Sequence, residues 1–190
     1  MFKELVIKNR SYRRFTQKRI TSSELRELID LARLTPSGRN AQPLKYYLIS
    51  SKEGCSKLFG HLAWAGYLEN WPGPVENERP TAYVIVLGDT TLSSLFGIDP
   101  GIAAQTLLLG AVEKGMGGCI LGSIQREEIR AEFNIAKQFE ILYVIALGYP
   151  IEQVAIESMG ADGDVKYWRD AQQVHHVPKR ALADLIVGEE

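Results

Sequence analysis

Residues 99–114 constrain the fold more than any other stretch. Asp99 followed by Pro100 reads as an N-cap with proline at the first helical position. Ile102, Ala103, Ala104, Leu107, Leu108, Leu109, Ala111 and Val112 then leave almost no polar face. A helix that is apolar nearly all round belongs in the middle of a core or at a large subunit interface. The 190 residues suffice for one domain, 1–190, able to surround it.

The neighbouring pattern supplies the surroundings. A short first helix near Leu5 and Val6 precedes a basic turn. Thr21 with Glu24 forms a capping box, and Leu25, Leu28, Ile29 and Ala32 follow at helical spacing. Pro36, Gly38 and Pro43 make a loop, and Leu44 to Ser51 reads as a strand. Residues 53–69 are predicted helical, and Trp71 to Pro80 irregular because prolines remove backbone donors. Ala82 to Leu87 and Phe139 to Leu147 read as buried strands, Cys119 to Leu121 as a short extended piece, and Arg126 to Phe133 as a short helix. This order fits an α+β sandwich around a central sheet. Residues 151–190 are more polar and show no helical core pattern before Leu182, which predicts a tail that wraps another subunit.

Charge and cysteine content exclude several functions. Formal net charge is -1, from 22 basic and 23 acidic residues, which argues against bulk capture of nucleic acid. Cys55 and Cys119 lie far apart and form no disulfide framework, so a reducing cytoplasm is expected. No signal peptide is legible, and the apolar runs are too short to span a bilayer. His61, His175 and His176 lack metal-site spacing, and no G-x-S-x-G elbow is present. With no side-chain machinery in view, a cofactor is expected to carry the chemistry.

Three segments could hold one. Arg10-Ser11-Tyr12-Arg13-Arg14 offers guanidinium forks suited to a phosphate, as does Lys179-Arg180 near the other end. Taken alone, the arginine cluster is better explained as a solvated basic turn. The loop Thr35 to Pro43 carries short polar side chains that could bond a planar heterocycle, although these residues are also ordinary loop punctuation. Gly115-Met116-Gly117-Gly118-Cys119-Ile120-Leu121-Gly122 is neither a dinucleotide fingerprint nor a P-loop, and a helix stop accounts for most of its glycines.

In their order along the chain, these pieces resemble the nitroreductase family of flavoproteins. Asn9-Arg10-Ser11-Tyr12-Arg13-Arg14-Phe15 stands where the family has R-R-S-x-R-x-F. Ala32-Arg33-Leu34-Thr35-Pro36-Ser37 matches A-R-x-A-P-S, and Asn40-Ala41-Gln42-Pro43-Leu44 matches N-x-Q-P-W. Ala146-Leu147-Gly148-Tyr149-Pro150 and Pro178-Lys179-Arg180 complete the set, over roughly residues 5–187.

The resemblance implies a three-layer sandwich with a mostly antiparallel sheet flanked by helices, in a homodimer whose active sites are shared and whose 151–190 segment wraps the partner subunit. It implies FMN as cofactor and NADH or NADPH as electron donor, with ping-pong transfer to a small acceptor such as a nitroaromatic or quinone. It places Arg10, Ser11, Arg13, Lys179 and Arg180 on the phosphate and ribityl chain. Pro36, Ser37 and Asn40 would approach the flavin from the partner, while Ile120, Leu121 and Gly122 border the ring. No side chain is assigned as acid or base, since the chemistry sits on flavin N5. Trp64, Tyr67 and Trp71 are candidates for a lid, with core packing the competing reading. Asn9 replaces the family's first arginine, so that contact is either lost or supplied by Arg14, and Leu44 replaces a tryptophan. The alternatives are another reductive activity on the same scaffold (ene, dehalogenase or flavin reduction) and a helix-turn-helix module over Thr21 to Tyr46.

Overall fold

The computed structural model describes residues 1–190. Its centre is strand β2 (Ala82–Asp89), all eight residues of which are buried. Because side chains alternate across a strand, β2 feeds two cores. Ala82, Val84 and Val86 join one, with Leu25, Leu28 and Ala32 of α2 (Ser22–Arg33) and Ala103, Ala104, Leu107, Leu108 and Ala111 of α4 (Asp99–Glu113). Tyr83, Ile85 and Leu87 join the other, with Cys55 and Leu58 of α3 (Lys52–Phe59) and Ile129 of α5 (Arg126–Glu132). Helices therefore cover both faces, and the predicted three-layer sandwich is present.

The four-stranded sheet has the order β1-β2-β4-β3, with β1 at Leu44–Ile49, β3 at Gly117–Leu121 and β4 at Phe139–Gly148. Every neighbouring pair is antiparallel. β3 is an edge strand, and its outer side is taken by the segment after α1 (Phe2–Lys8): Ser11 bridges Gly118, and the Tyr12 N–H donates to the Gly118 carbonyl at 3.0 Å. Further along, Phe15 bridges Pro150 across the end of the sheet. Residues 9–15 are thus fixed against the last-made parts of the core.

The apolar helix is found where the pattern predicts it, but its start differs. Asp99 is the first helical residue, Ile98 occupies the cap position without a side-chain bond, and the Asp99 carboxylate is turned toward Ser37 and Gly38 instead. Two loop donors outcompete the helix's own free amides for it. Helix α3 stops at Phe59, short of the expected 69, because Gly60 ends it, Ala65 adopts φ 38°, and Leu62 bridges Ile124. Thr21 to Tyr46 runs helix, loop, strand, so the recognition helix required by a helix-turn-helix is replaced by β1.

The tail carries more regular structure than its pattern predicts. Residues 154–179 form a second sheet on their own protomer, ordered β5-β7-β6 with β5 at Val154–Ser158, β6 at Trp168–Arg169 and β7 at His175–Lys179. β5 and β7 are parallel, β6 and β7 antiparallel. Beyond Arg180 the large apolar side chains of Leu182, Leu185, Ile186 and Val187 are exposed, as are Ile151, Ile156, Val165 and Trp168 earlier in the tail. No helix is long and apolar enough to cross a membrane.

Gly118 joins these layers at close range. A Cβ there would stand 2.4 Å from the Ala146 carbonyl oxygen and 2.9 Å from Leu108. Since the obstacle includes strand backbone, Gly118→Ala should cost about 1–3 kcal/mol, read as a lowered urea midpoint. An unchanged midpoint would show that β3 moves freely on β4.

Candidate active site

The basic segment is sorted by its partners. Arg14 donates from Nε and Nη2 to both Glu78 carboxylate oxygens at 2.7 Å, a bidentate pair that commits it. It is therefore not free to replace the arginine missing at position 9, and Asn9 itself donates to Gln105 at 3.3 Å. Arg10 donates from Nη2 to the Val6 carbonyl at 2.9 Å, and its Nε is buried without a partner. Ser11 lies on the outer edge of β3.

Arg13 is the buried member, only 7% exposed. Its backbone N–H donates to Glu152 Oε2 at 2.9 Å, and Nη1 donates to the Ser11 carbonyl at 3.1 Å. The same Nη1 lies 3.3 Å from His175 Nε2, and the guanidinium carbon sits 5.0 Å from the Tyr167 ring centre. Glu152 is completed by Arg169 at 2.5 Å, whose guanidinium covers the Trp71 ring. The chain ends therefore meet here, β7 beginning beside Arg13. Two arginines, one glutamate and one imidazole leave an excess of positive charge in a buried place. Burial first, then Arg13 and Arg169, push His175 down to about 4, so its ring is neutral and can accept from Arg13. The Nε atoms of Arg13 and Arg169 remain buried and unpartnered. Donors left in that condition call for an acceptor from outside the chain.

Along β3, Ile120 is 45% exposed, Leu121 is buried and Gly122 is exposed just beyond the strand. Lys179 ends β7, and Arg180 follows it, both exposed and paired with no carboxylate. The proline-serine loop is held at the far end of the sheet. Ser37 Oγ donates to Asp99 Oδ2 at 2.5 Å, the Gly38 N–H donates to Asp99 Oδ1 at 3.0 Å, and the Gln42 N–H donates to Ser37 Oγ at 2.9 Å. Arg39, Asn40 and Gln42 all have positive φ, between 48° and 55°. Such conformations are costly for side chains with a Cβ and persist only where surroundings fix them. Within one protomer, Pro36, Ser37 and Asn40 sit on the β1 side of the sheet and Arg10 to Arg13 on the β3 side, so the fold does not bring the two sets together.

Of the aromatic candidates, Trp64 is 8% exposed and packs on Phe59 with ring centres 5.7 Å apart. It belongs to the α3–α5 core and is no lid, because the chain turns inward at Ala65. Tyr67 is half exposed and stacks on Tyr167 at 5.0 Å, while Trp71 is half-buried under Arg169. Asp99, Glu152, Tyr167, Arg169 and His175 were not singled out from the sequence. Asp99 reads from the sequence as a helix cap and His175 only as a histidine without metal-site spacing, while Glu152, Tyr167 and Arg169 give no signal. No group of three or more histidine, cysteine or acidic side chains is arranged to hold a metal ion. Both cysteines are free and buried, and burial pushes Cys55 up to about 11.

Asp99→Ala removes the charged acceptor of the loop. It should lower unfolding free energy by about 1.5–3 kcal/mol and speed amide exchange at Gly38; slow exchange at Gly38 in the variant would show that the loop holds itself. His175 has a folded value below its ordinary 6.5, so the unfolded chain binds the extra proton. Its contribution is full above that value and drains as pH falls toward 4. Between pH 7 and pH 5 the wild-type melting midpoint should drop about 2–4 °C more than that of His175→Gln. Parallel pH profiles would remove His175 as an acid-sensitive element. His176 works in the opposite sense: Asp170 and Glu157 raise it, so its contribution is full below 6.5 and is lost as pH climbs through the raised value.

Comparison with known proteins identifies the family and the fold. The nitroreductase family model matches residues 6–149. A protein of Archaeoglobus fulgidus described as an NADH dehydrogenase/NAD(P)H nitroreductase is 25% identical over 158 residues, 79% of this chain and 86% of its own. The crystal structure of a nitroreductase family protein from Streptococcus pneumoniae superposes with a TM-score of 0.73 over the full length of both chains, at 17% identity. One from Exiguobacterium sibiricum, described as a nitroreductase in complex with FMN, gives 0.66 over 80% of this chain and 89% of its own, at 21% identity. The structural matches speak to the fold alone. With the family model covering most of the sheet and the residue 9–15 segment pinned along its edge, the chain belongs to the nitroreductase family.

Proposed function

We propose that the protein is an FMN-dependent oxidoreductase that takes hydride from NADH or NADPH and passes the electrons to a small acceptor such as a nitroaromatic or quinone. The observation that carries this reading is the pair of buried guanidinium Nε donors of Arg10 and Arg13 without partners, on the segment that lines the outer edge of β3. A phosphorylated, acceptor-rich cofactor fits that need, and the relative from E. sibiricum is described as holding FMN.

Arg10, Ser11, Arg13, Lys179 and Arg180 would hold the phosphate and ribityl chain, and Ile120, Leu121 and Gly122 would border the ring. Bound there, FMN would supply the two-electron redox chemistry that links the nicotinamide donor to the acceptor in two successive half-reactions. The chain's own work is binding and orientation. Arg13, held by Ser11, Glu152 and His175, keeps a fixed positive charge at the site, which favours negative charge developing nearby. Tyr67 and Trp71, tied to Tyr167 and Arg169, would limit which acceptors reach it.

A homodimer supplies what one protomer separates. Pro36, Ser37 and Asn40 of a second copy would close the pocket, which accounts for strained backbone so firmly held by Asp99. The exposed residues Leu182, Leu185, Ile186 and Val187 would then dock on that copy, and the half-exposed Ile102, Leu109 and Val112 of α4 would be covered.

The test is anaerobic. Purified protein should be yellow, bleach with NADH or NADPH, and regain colour when a nitroaromatic or quinone is added. Arg10→Gln should weaken FMN binding about tenfold, as expected for one lost charge-assisted bond, measured by fluorescence of released flavin. Colourless protein that takes up no added FMN would defeat the proposal.

A further inference from the structure

A second opening lies beyond the end of β1 and the start of β2, where residues 17–19, 50–56 and 76–81 meet. It is a cleft of about 630 Å³, within the size range of small-molecule sites. None of its lining residues is among those assigned to FMN, although Gln17 continues the segment that carries Arg10 to Arg14.

Its lining is polar and positively charged. Arg19, Lys52 and Arg79 face it together with one carboxylate, Glu76. None of the three cations forms an ion pair, unlike nearby Arg14 and Lys57, which do. Arg19 is steadied by a bond from Nη2 to the Ser50 carbonyl at 3.3 Å. Arg79 lies flat on Phe59, 3.9 Å from the ring centre, with its Nε buried and unpartnered. Lys52 opens α3, so the positive end of that helix's dipole adds to the field at the rim. Ser56 and Asn77 add uncharged polar groups. The excess is two positive charges over the lone carboxylate, in a chain whose net charge is -1. A phosphate monoester carries about -1.5 to -2 at neutral pH, and two guanidinium forks suit its oxygens.

We propose that this cleft is a second anion site, which takes the phosphoryl group of a small molecule. It is independent of the flavin reading, because its residues lie outside the segments assigned to FMN.

The test is calorimetric titration of FMN-saturated protein with inorganic pyrophosphate, AMP and adenosine. Pyrophosphate should bind with a dissociation constant below about 1 mM. Lys52→Gln and Arg19→Gln, both at exposed positions, should each weaken it about tenfold without changing flavin content. AMP binding alongside assigns an organic monoester as the source; pyrophosphate binding without AMP assigns an inorganic one. Adenosine binding as well as AMP overturns the proposal, as does pyrophosphate affinity unaltered in both variants. Absence of binding by both phosphates overturns it equally.

Discussion

Strand β2 has no side turned to water, and the rest of the architecture follows from that. A strand buried on both faces needs a covering layer on each, so α2 and α4 pack on one side and α3 and α5 on the other. It also needs a paired strand along each edge, which β1 and β4 provide. Backbone capable of meeting a ligand is consequently displaced to the periphery. β3, the outermost strand on one side, carries the exposed Ile120 and receives residues 11 and 12 along its free edge. The interior supplies rigidity and the margin supplies chemistry.

The buried charge around Arg13 is the costliest part of that margin. Glu152 answers the Arg13 backbone and the Arg169 side chain together, and His175 stays neutral to sit beside them. Arg169 has its carboxylate, whereas the Arg13 guanidinium meets only the Ser11 carbonyl and the His175 ring, and the Nε donors of both arginines are unanswered. Proteins seldom leave donors so. The imbalance is readable as an affinity held in reserve, since a bound anion would complete bonds the protein has already desolvated.

Much of the sandwich was legible in the sequence because it depends on periodicity. Leu25, Leu28 and Ala32 mark α2, and the unbroken apolar run from Ala82 to Leu87 marks a buried strand. The capping box at Thr21 and Glu24 is present as read. What stayed hidden depends on long-range partners. Asp99 has the local signature of a cap, and only the folded chain shows Ser37 and Gly38 competing for it. The small sheet of residues 154–179 was missed because its strands are short and polar and pair in parallel across about twenty residues. Trp64 looked like a surface aromatic from its proline-rich neighbourhood, and a turn at Ala65 puts it inside. At the candidate site, the basic residues were visible as types, but which arginine is consumed by Glu78 and which is left with an open donor could not be read from spacing.

The pinning of residues 11–15 also governs when the protein becomes competent during its own synthesis. Ser11 waits for Gly118, Phe15 for Pro150, the Arg13 amide for Glu152 and its guanidinium for His175. A nascent chain emerges from its amino terminus, so the earliest segment is the last to find its place. Contacts spanning so many residues also carry a high loop-closure cost and slow the final step of folding. A chain that ended before His175 would leave the Arg13 guanidinium without the last of these partners.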